Sequence, residues 1–302
     1  MITSTSNGKV KNIIKCKKSA RERRLQDVFL VEGIRMFAEI PNEMHVETYV
    51  TEDFVSKHME LFADRQYELV AGHVMEQISD TKTPQGVVSI VRRYHYTPDD
   101  ICGLDSAIMP VGTCDPTGKK EKTDCRTDEK SHPVKSGNLR DKKEITRGDA
   151  QLPLIMALEN LQDPGNLGTI IRTAEGAGVT GILMSRETVD VYNPKVVRAT
   201  MGSIFRVPFC YVNDLSEYIR QLNRVGYATY SAHLQGKRFY DFSYDNPTVF
   251  CIGNEGNGLS EELSDATIYK IRIPMLGKVE SLNAATAATV LIYEAMRQRS
   301  FI

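Results

Sequence analysis

Residues 152–185 read LPLIMALENLQDPGNLGTIIRTAEGAGVTGILMS, and the fold follows from them. LPLIMALEN is an almost unbroken apolar run, the pattern of a strand buried on both faces. A polar turn, QDPGN, follows it. The next segment, LGTIIRTAEGAG, places Leu167, Ile170, Ile171 and Ala174 on one stripe of a helix, and Asn166 stands where a helix is capped. VTGILMS is again apolar. Strand, helix and strand joined by such short connections make a βαβ unit, which implies a parallel sheet.

The same alternation continues toward the C-terminus. NPKVVRATMGSIF and LSEYIRQLNRVG read as helices; VPFCYV, YATYSA, TVFCIG and YKIRIPM read as strands. LNAATAATVLIYEAMRQR reads as a long terminal helix that begins almost entirely in Ala and Thr. Toward the N-terminus, VFLVEG is a buried strand turning at Gly33. IRMFAEI is a short helix stopped by Pro41, HVETYVTEDF alternates like a strand, LVAGHVMEQIS is helical, and GVVSIVRRY is a further β-branched run. Between the halves, residues 99–150 lose all periodicity. CDPTGKKEKTDCRTDEKSHPVKSGNLRDKKEITRGD is too polar to bury a core and reads as a linker or surface insertion. The expected organisation is a small α/β domain at 1–98, a linker at 99–150 and a parallel-sheet domain at 151–302.

Composition narrows the class. Of 302 residues, 41% are hydrophobic and 25% charged, enough for sizeable cores. No apolar run is long enough to span a bilayer, and the basic N-terminus leads into charges rather than an apolar signal segment. The six cysteines (Cys16, Cys102, Cys114, Cys125, Cys210 and Cys251) are scattered, which fits a reducing cytoplasm better than a disulfide framework. Cys102, Cys114, Cys125 and His132 are spaced too widely for the usual zinc ligand pairs, so no metal is expected. Net charge is only −1, yet Lys9, Lys11, Lys15, Lys17, Lys18, Arg21, Arg23 and Arg24 crowd the N-terminus against the single acid Glu22. Such a stripe suits a phosphate backbone, or is simply a solvated helix face.

Three polar loops follow buried strands: ENLQDPGNLG, IGNEGNGLS and IPMLGKVESLN. In an open α/β sheet, ligands bind beyond the carboxyl ends of the strands. The glycines of the second loop, Gly253, Gly256 and Gly258, match neither the dinucleotide fingerprint nor a P-loop. Arg172 sits near a helix start, against the helix dipole, off the buried stripe. Its plain alternative to a functional role is a surface ion pair with Glu175.

Taken together, three strings resemble the SpoU/TrmH-like ribose methyltransferases of the SPOUT superfamily. They are N-x-G-x-x-x-R-T-A-E at Asn166–Glu175, IGNEGNGL at Ile252–Leu259, and IPMLGKVESLNAATAATVLIYEAMRQR at Ile273–Arg299. The N-terminal half is similar to that family's RNA-binding substrate domain through KVKNIIKCKKSARERRLQDVFLVEG (9–33) and TPQGVVSIV (83–91). The resemblance implies a deep trefoil knot at the C-terminal end, with Ala284, Ala285, Ala287 and Ala288 allowing close packing. It implies S-adenosylmethionine held by backbone groups at Gly253, Ile273 and Leu282, and a homodimer. The implied reaction is methylation of an RNA ribose 2′-hydroxyl, with Arg172 as base or phosphate grip and Asn166, Glu255, Ser281 and Asn283 around it. The 2′-hydroxyl distinguishes RNA from DNA, so a DNA substrate is not expected. Ribosomal RNA is favoured over transfer RNA because a domain similar to a ribosomal RNA-binding fold precedes the catalytic one. The other readings are a transfer-RNA 2′-O-methyltransferase, a non-catalytic RNA-binding ribosome-assembly factor, and a small-molecule or nucleotide-dependent enzyme unrelated to RNA.

Overall fold

The computed structural model describes residues 1–62, 65–102 and 152–300. Its C-terminal part is a six-stranded sheet built from β5 (Leu154–Leu158), β6 (Gly181–Ser185), β7 (Phe209–Val212), β8 (Ala228–Arg238), β9 (Thr248–Ile252) and β10 (Tyr269–Arg272). The order across the sheet is β10-β8-β9-β5-β6-β7, and every neighbouring pair is parallel. The expected parallel α/β domain is therefore present. Alternate residues of β5 enter different cores. Leu154, Met156 and Leu158 pack beneath α7 (Pro164–Gly176), α8 (Pro194–Thr200) and α11 (Ala284–Ser300). Ile155 and Ala157 pack with α6 (Pro98–Cys102), α9 (Leu215–Arg224) and α10 (Glu261–Ala266). Burial on both faces explains why LPLIMALEN shows no alternation of polarity.

The N-terminal part holds a four-stranded sheet of β1 (Val28–Glu32), β2 (His45–Val50), β3 (Glu68–Leu69) and β4 (Val87–Arg92), in the order β1-β4-β2-β3. One face packs on α1 (Gly8–Lys18) and α5 (Gly72–Ile78) through Val28, Leu30, Tyr49 and Val88. The other face carries Phe29, Val31, Val87 and Val91 into the core shared with the C-terminal sheet. Phe29 meets Tyr192 with ring centroids 4.8 Å apart. Around this apolar contact lie ion pairs between the two parts: Arg23 with Asp190, Arg198 with Asp80 and Glu32, and Arg206 with Glu39.

Several local readings change on folding. HVETYVTEDF is a strand only as far as Val50; Thr51 then accepts from the N–H of Phe54 and caps α4 (Glu52–Lys57). LVAGHVMEQIS splits into β3 and α5. Residues 99–102, read as the start of the patternless stretch, complete α6, whose Ile101 lies over Gly181. The rest of that stretch, including Cys114, Cys125 and His132, lies outside the described residues. The basic N-terminal stripe also divides. Arg23 is buried, with its guanidinium on the carbonyl of Cys16 and on Asp190. Lys17 donates to the carbonyls of Gln77 and Ser79 at the end of α5, and Lys9 pairs with Glu47 and Glu68. Lys11, Lys15 and Lys18 on α1, with Arg21 and Arg24 on α2 (Ala20–Gln26), stay exposed without an acidic partner among the described residues. Among those residues no helix is long and apolar enough to cross a membrane.

Helices α7 and α8 cross where Gly168 removes a side chain. A Cβ there would stand 2.4 Å from that of Ala199 and 2.9 Å from the carbonyl oxygen of Val196. Neither neighbour has a flexible end that can swing away, so the helices must separate. Gly168→Ala is expected to cost about 1–3 kcal/mol, in the range for overpacked cores, measured as a lower urea midpoint at unchanged slope.

Candidate active site

Strands β5 and β9 are adjacent, so the loops after them meet at one edge of the sheet. The first loop begins with Glu159 and Asn160, the latter in the left-handed region at φ +53°. Asn160 receives the hydroxyl of Ser185 on its side-chain oxygen (3.0 Å) and the side-chain amide of Asn254 on its carbonyl (2.8 Å). Glu159 accepts from both the backbone N–H and the hydroxyl of Ser260, each at 2.7 Å. These contacts hold the ends of the two loops against each other before any reactive group is considered.

The second loop is a tight turn from Asn254 to Gly258, closed by reciprocal backbone hydrogen bonds of 3.0 and 2.9 Å. Asn254 also accepts from the N–H groups of Gly256 and Asn257, a local side-chain turn of the kind asparagine favours. Gly253 lies under this turn. A Cβ on it would stand 2.2 Å from the backbone of Gly258. The glycine is therefore required by the close approach of two backbone segments, whatever else its peptide groups bind.

The turn presents Glu255 toward α7. Its carboxylate accepts from the Asn166 side chain at 2.9 Å and from the N–H groups of Gln162 and Asp163 at 3.3 Å. Asn166 in turn accepts from the side-chain amide of Asn283 at 2.9 Å. Asn283 accepts from the N–H groups of Ala285 and Thr286, at the start of α11. Three segments distant in sequence thus share one polar chain: Asn283, Asn166, Glu255. Asn166 does not cap α7, as the sequence suggested; Asp163 does, accepting the Asn166 N–H at 2.8 Å. Its release from capping leaves the Asn166 side chain for the cluster.

Arg172 stands two turns further along α7, exposed, with no hydrogen bond or ion pair among the described residues. The ion pair with Glu175 is not formed, because Glu175 accepts from Arg206 at 3.0 Å and Ser203 at 3.5 Å. Ser281 is exposed and makes no hydrogen bond to the Asn166–Glu255–Asn283 chain. Residues 273–282, between β10 and α11, make no hydrogen bonds among the described residues. Ile273 and Leu282 are half-buried at the two ends of that loop. Sequence reasoning missed the supporting residues Glu159, Asn160, Gln162 and Asn254. The Asn-Gly character of the turn was the available signal for Asn254; the others show their role only once two loops meet. Among the described residues no group of three or more His, Cys, Asp or Glu is placed to hold a metal ion.

Burial pushes the Glu255 carboxyl up. Hydrogen bonds from Asn166 and from the backbone N–H groups of Glu255, Gln162 and Asp163 outweigh that and hold it below the usual carboxylate range. A folded-state value below the unfolded one means the contribution is complete at neutral pH. It is lost as pH falls through the lowered value. Carboxyl 13C titration should therefore place the Glu255 midpoint below that of a free glutamate. Asn166→Ala should move it upward; an unmoved midpoint contradicts the arrangement.

Comparison with known proteins agrees with this geometry. The model of the SpoU rRNA Methylase family matches residues 153–293, and that of the MRM3-like substrate binding domain matches residues 7–89. An uncharacterized tRNA/rRNA methyltransferase of Synechocystis sp. is 38% identical over 145 residues, covering 48% of this chain and 53% of its own. A 23S rRNA (uridine(2479)-2′-O)-methyltransferase of Streptomyces viridochromogenes is 39% identical over 142 residues, covering 45% and 50%. The chain spans about half the length of these curated relatives. The crystal structure of an AdoMet-bound rRNA methyltransferase from Sinorhizobium meliloti is similar along nearly the whole chain, at a TM-score of 0.73 and 26% identity, covering 98% of this chain and 97% of that one. The sheet order, the meeting of the three loops and these matches agree: residues 153–293 are similar to the SpoU rRNA Methylase family, and nearly the whole chain shares the fold of the Sinorhizobium enzyme.

Proposed function

We propose that this protein transfers a methyl group from S-adenosylmethionine to a ribose 2′-hydroxyl of ribosomal RNA, in the cytoplasm and as a homodimer. The observation that carries the reading is the Asn166–Glu255–Asn283 chain, with an uncommitted Arg172 on the helix that bears Asn166. The names of the Streptomyces and Sinorhizobium proteins support the donor and the RNA class.

The residues present fit such a donor. Residues 273–282 offer backbone donors and acceptors that no protein group uses among the described residues, flanked by half-buried Ile273 and Leu282. Those groups, with the peptide at Gly253, would hold the adenosine and amino-acid ends. Bound S-adenosylmethionine supplies the methyl group on a positively charged sulfur. The knot implied by the family is part of this reading, with β10, the loop after it and α11 as the threaded segment. Leu276 and Val279 are exposed on that loop, which supports its burial against a second copy.

The chain's own task is to position a neutral hydroxyl, whose proton passes to solvent water as the oxygen takes the methyl group. Alignment of the reacting groups supplies much of such an acceleration. Glu255 is held ionised, but its oxygens already accept from Asn166, Gln162 and Asp163, so it serves as a brace for Asn166. An arginine ordinarily keeps its proton, and an exposed guanidinium without a protein partner suits a phosphate. Arg172 is accordingly assigned to gripping the phosphate beside the acceptor ribose. Asn283 reaches Asn166 from the other loop, and Ser281 stands two residues before it in the sequence.

Transfer of label from radiolabelled S-adenosylmethionine to separated ribosomal and transfer RNA, with nuclease mapping, tests the reaction. A 2′-O-methyl nucleotide in the ribosomal fraction is the expected product. Arg172→Ala should lower the rate about 100-fold, the scale of one positioned catalytic contact, while donor binding persists. Arg172→Lys should keep the wild-type pH–rate profile and bind RNA more weakly. An altered profile would assign Arg172 as the base instead, and absence of donor binding would overturn the enzymatic reading.

A further inference from the structure

A cavity of about 590 Å³ lies beyond β6, on the side of β5 away from β9, between α2, the segment after β4 and the outer strand β7. Its volume is in the range of small-molecule and nucleotide pockets. Three guanidinium groups line it: Arg24 from α2, Arg93 after β4, and Arg186 after β6. None has a carboxylate partner among the described residues. The one acidic side chain in the wall, Asp190, is already paired with Arg23. The cavity therefore carries uncompensated positive charge.

Its other walls are aromatic. Tyr94 and Tyr96 lie parallel, with planes 6° apart and centroids 5.4 Å apart. Arg93 stands over the ring of Tyr192 at 4.7 Å, and its Nε is buried with no hydrogen-bond partner. Flat rings beside unpaired guanidinium groups match a base together with its phosphate. The cavity is coupled to the candidate active site through one residue. Gln162, whose N–H contacts Glu255, donates its side-chain amide to the carbonyl of Glu187 at 2.8 Å, next to Arg186.

We propose that this cleft binds an unpaired nucleotide of the RNA strand, a neighbour of the nucleotide whose ribose is methylated. The identity of the strand rests on the reading above; the cleft's preference for a single strand does not. Stacking on Tyr96 supplies sequence-tolerant affinity, and Arg24 and Arg186 hold flanking phosphates. The strand is thereby kept extended as it enters the active site.

The test uses the full chain and two fluorescein-labelled probes, a 12-nucleotide single-stranded RNA of mixed sequence and the same 12 nucleotides as a duplex. The wild-type protein should bind the single strand more tightly. Tyr96→Ala should weaken single-strand binding about tenfold with little effect on the duplex, and Tyr96→Phe should restore it. Removing Arg24 and Arg186 together, both exposed and thus tolerant of change, should reduce the slope of log affinity against log salt by ~1.4, at ~0.7 per single-strand phosphate contact. Binding of S-adenosylmethionine, followed by calorimetry, should be unchanged in every variant. Equal affinity for the two probes, an unchanged salt slope, or equal losses on both probes would overturn the proposal. Loss of methyl transfer or donor binding in the wild-type protein would overturn the enzymatic reading and leave this result standing.

Discussion

In a sheet whose strands all run the same way, every carboxyl end delivers its loop to the same edge. That constraint organises this molecule. The strands β5 and β9 pair parallel from Leu154–Thr248 to Leu158–Ile252, so Glu159 and Gly253 leave the sheet side by side. Both faces of the sheet are covered by helices, which leaves the edge as the place where polar groups from separate segments meet. The Glu255 carboxylate then gathers N–H donors from the β5 loop and the Asn166 amide, and Asn166 passes the connection to Asn283.

The cost of that arrangement is visible in the backbone. Gly253 exists because the turn above it comes within 2.2 Å of where a side chain would begin. Asn160 adopts a left-handed conformation, which asparagine tolerates better than most residues. Asn160 is held there by donating its N–H to the Ser185 hydroxyl and accepting the Asn254 amide on its carbonyl. Polar residues that look like candidates for chemistry thus divide into those that build the edge and those left over. Arg172 and Ser281 are left over, and of the two only Arg172 carries a charge.

The two halves of the chain are joined by the same physics that builds each of them. Phe29 and Val31 of β1 leave their own domain's core for the common one, and ion pairs ring the contact. The joint leaves a charged, aromatic cleft beside the candidate active site, with Arg24 on one wall and Arg186 on the other.

The sequence by itself determined the parallel sheet, the helix stripe of α7 and the three loops, because burial on two faces and helical periodicity are written in consecutive residues. It also carried the strings by which residues 153–293 resemble the SpoU-type methylases. Only the tertiary structure decided which polar residues share hydrogen bonds. Asp163 rather than Asn166 caps α7, Arg23 is a buried strut rather than part of a free basic stripe, and Glu175 pairs with Arg206 rather than Arg172. The reason is that a side-chain hydrogen bond or ion pair depends on position in three dimensions. Asn283 and Asn166 stand 117 residues apart in the chain and within 2.9 Å in the fold, and no local pattern encodes that distance.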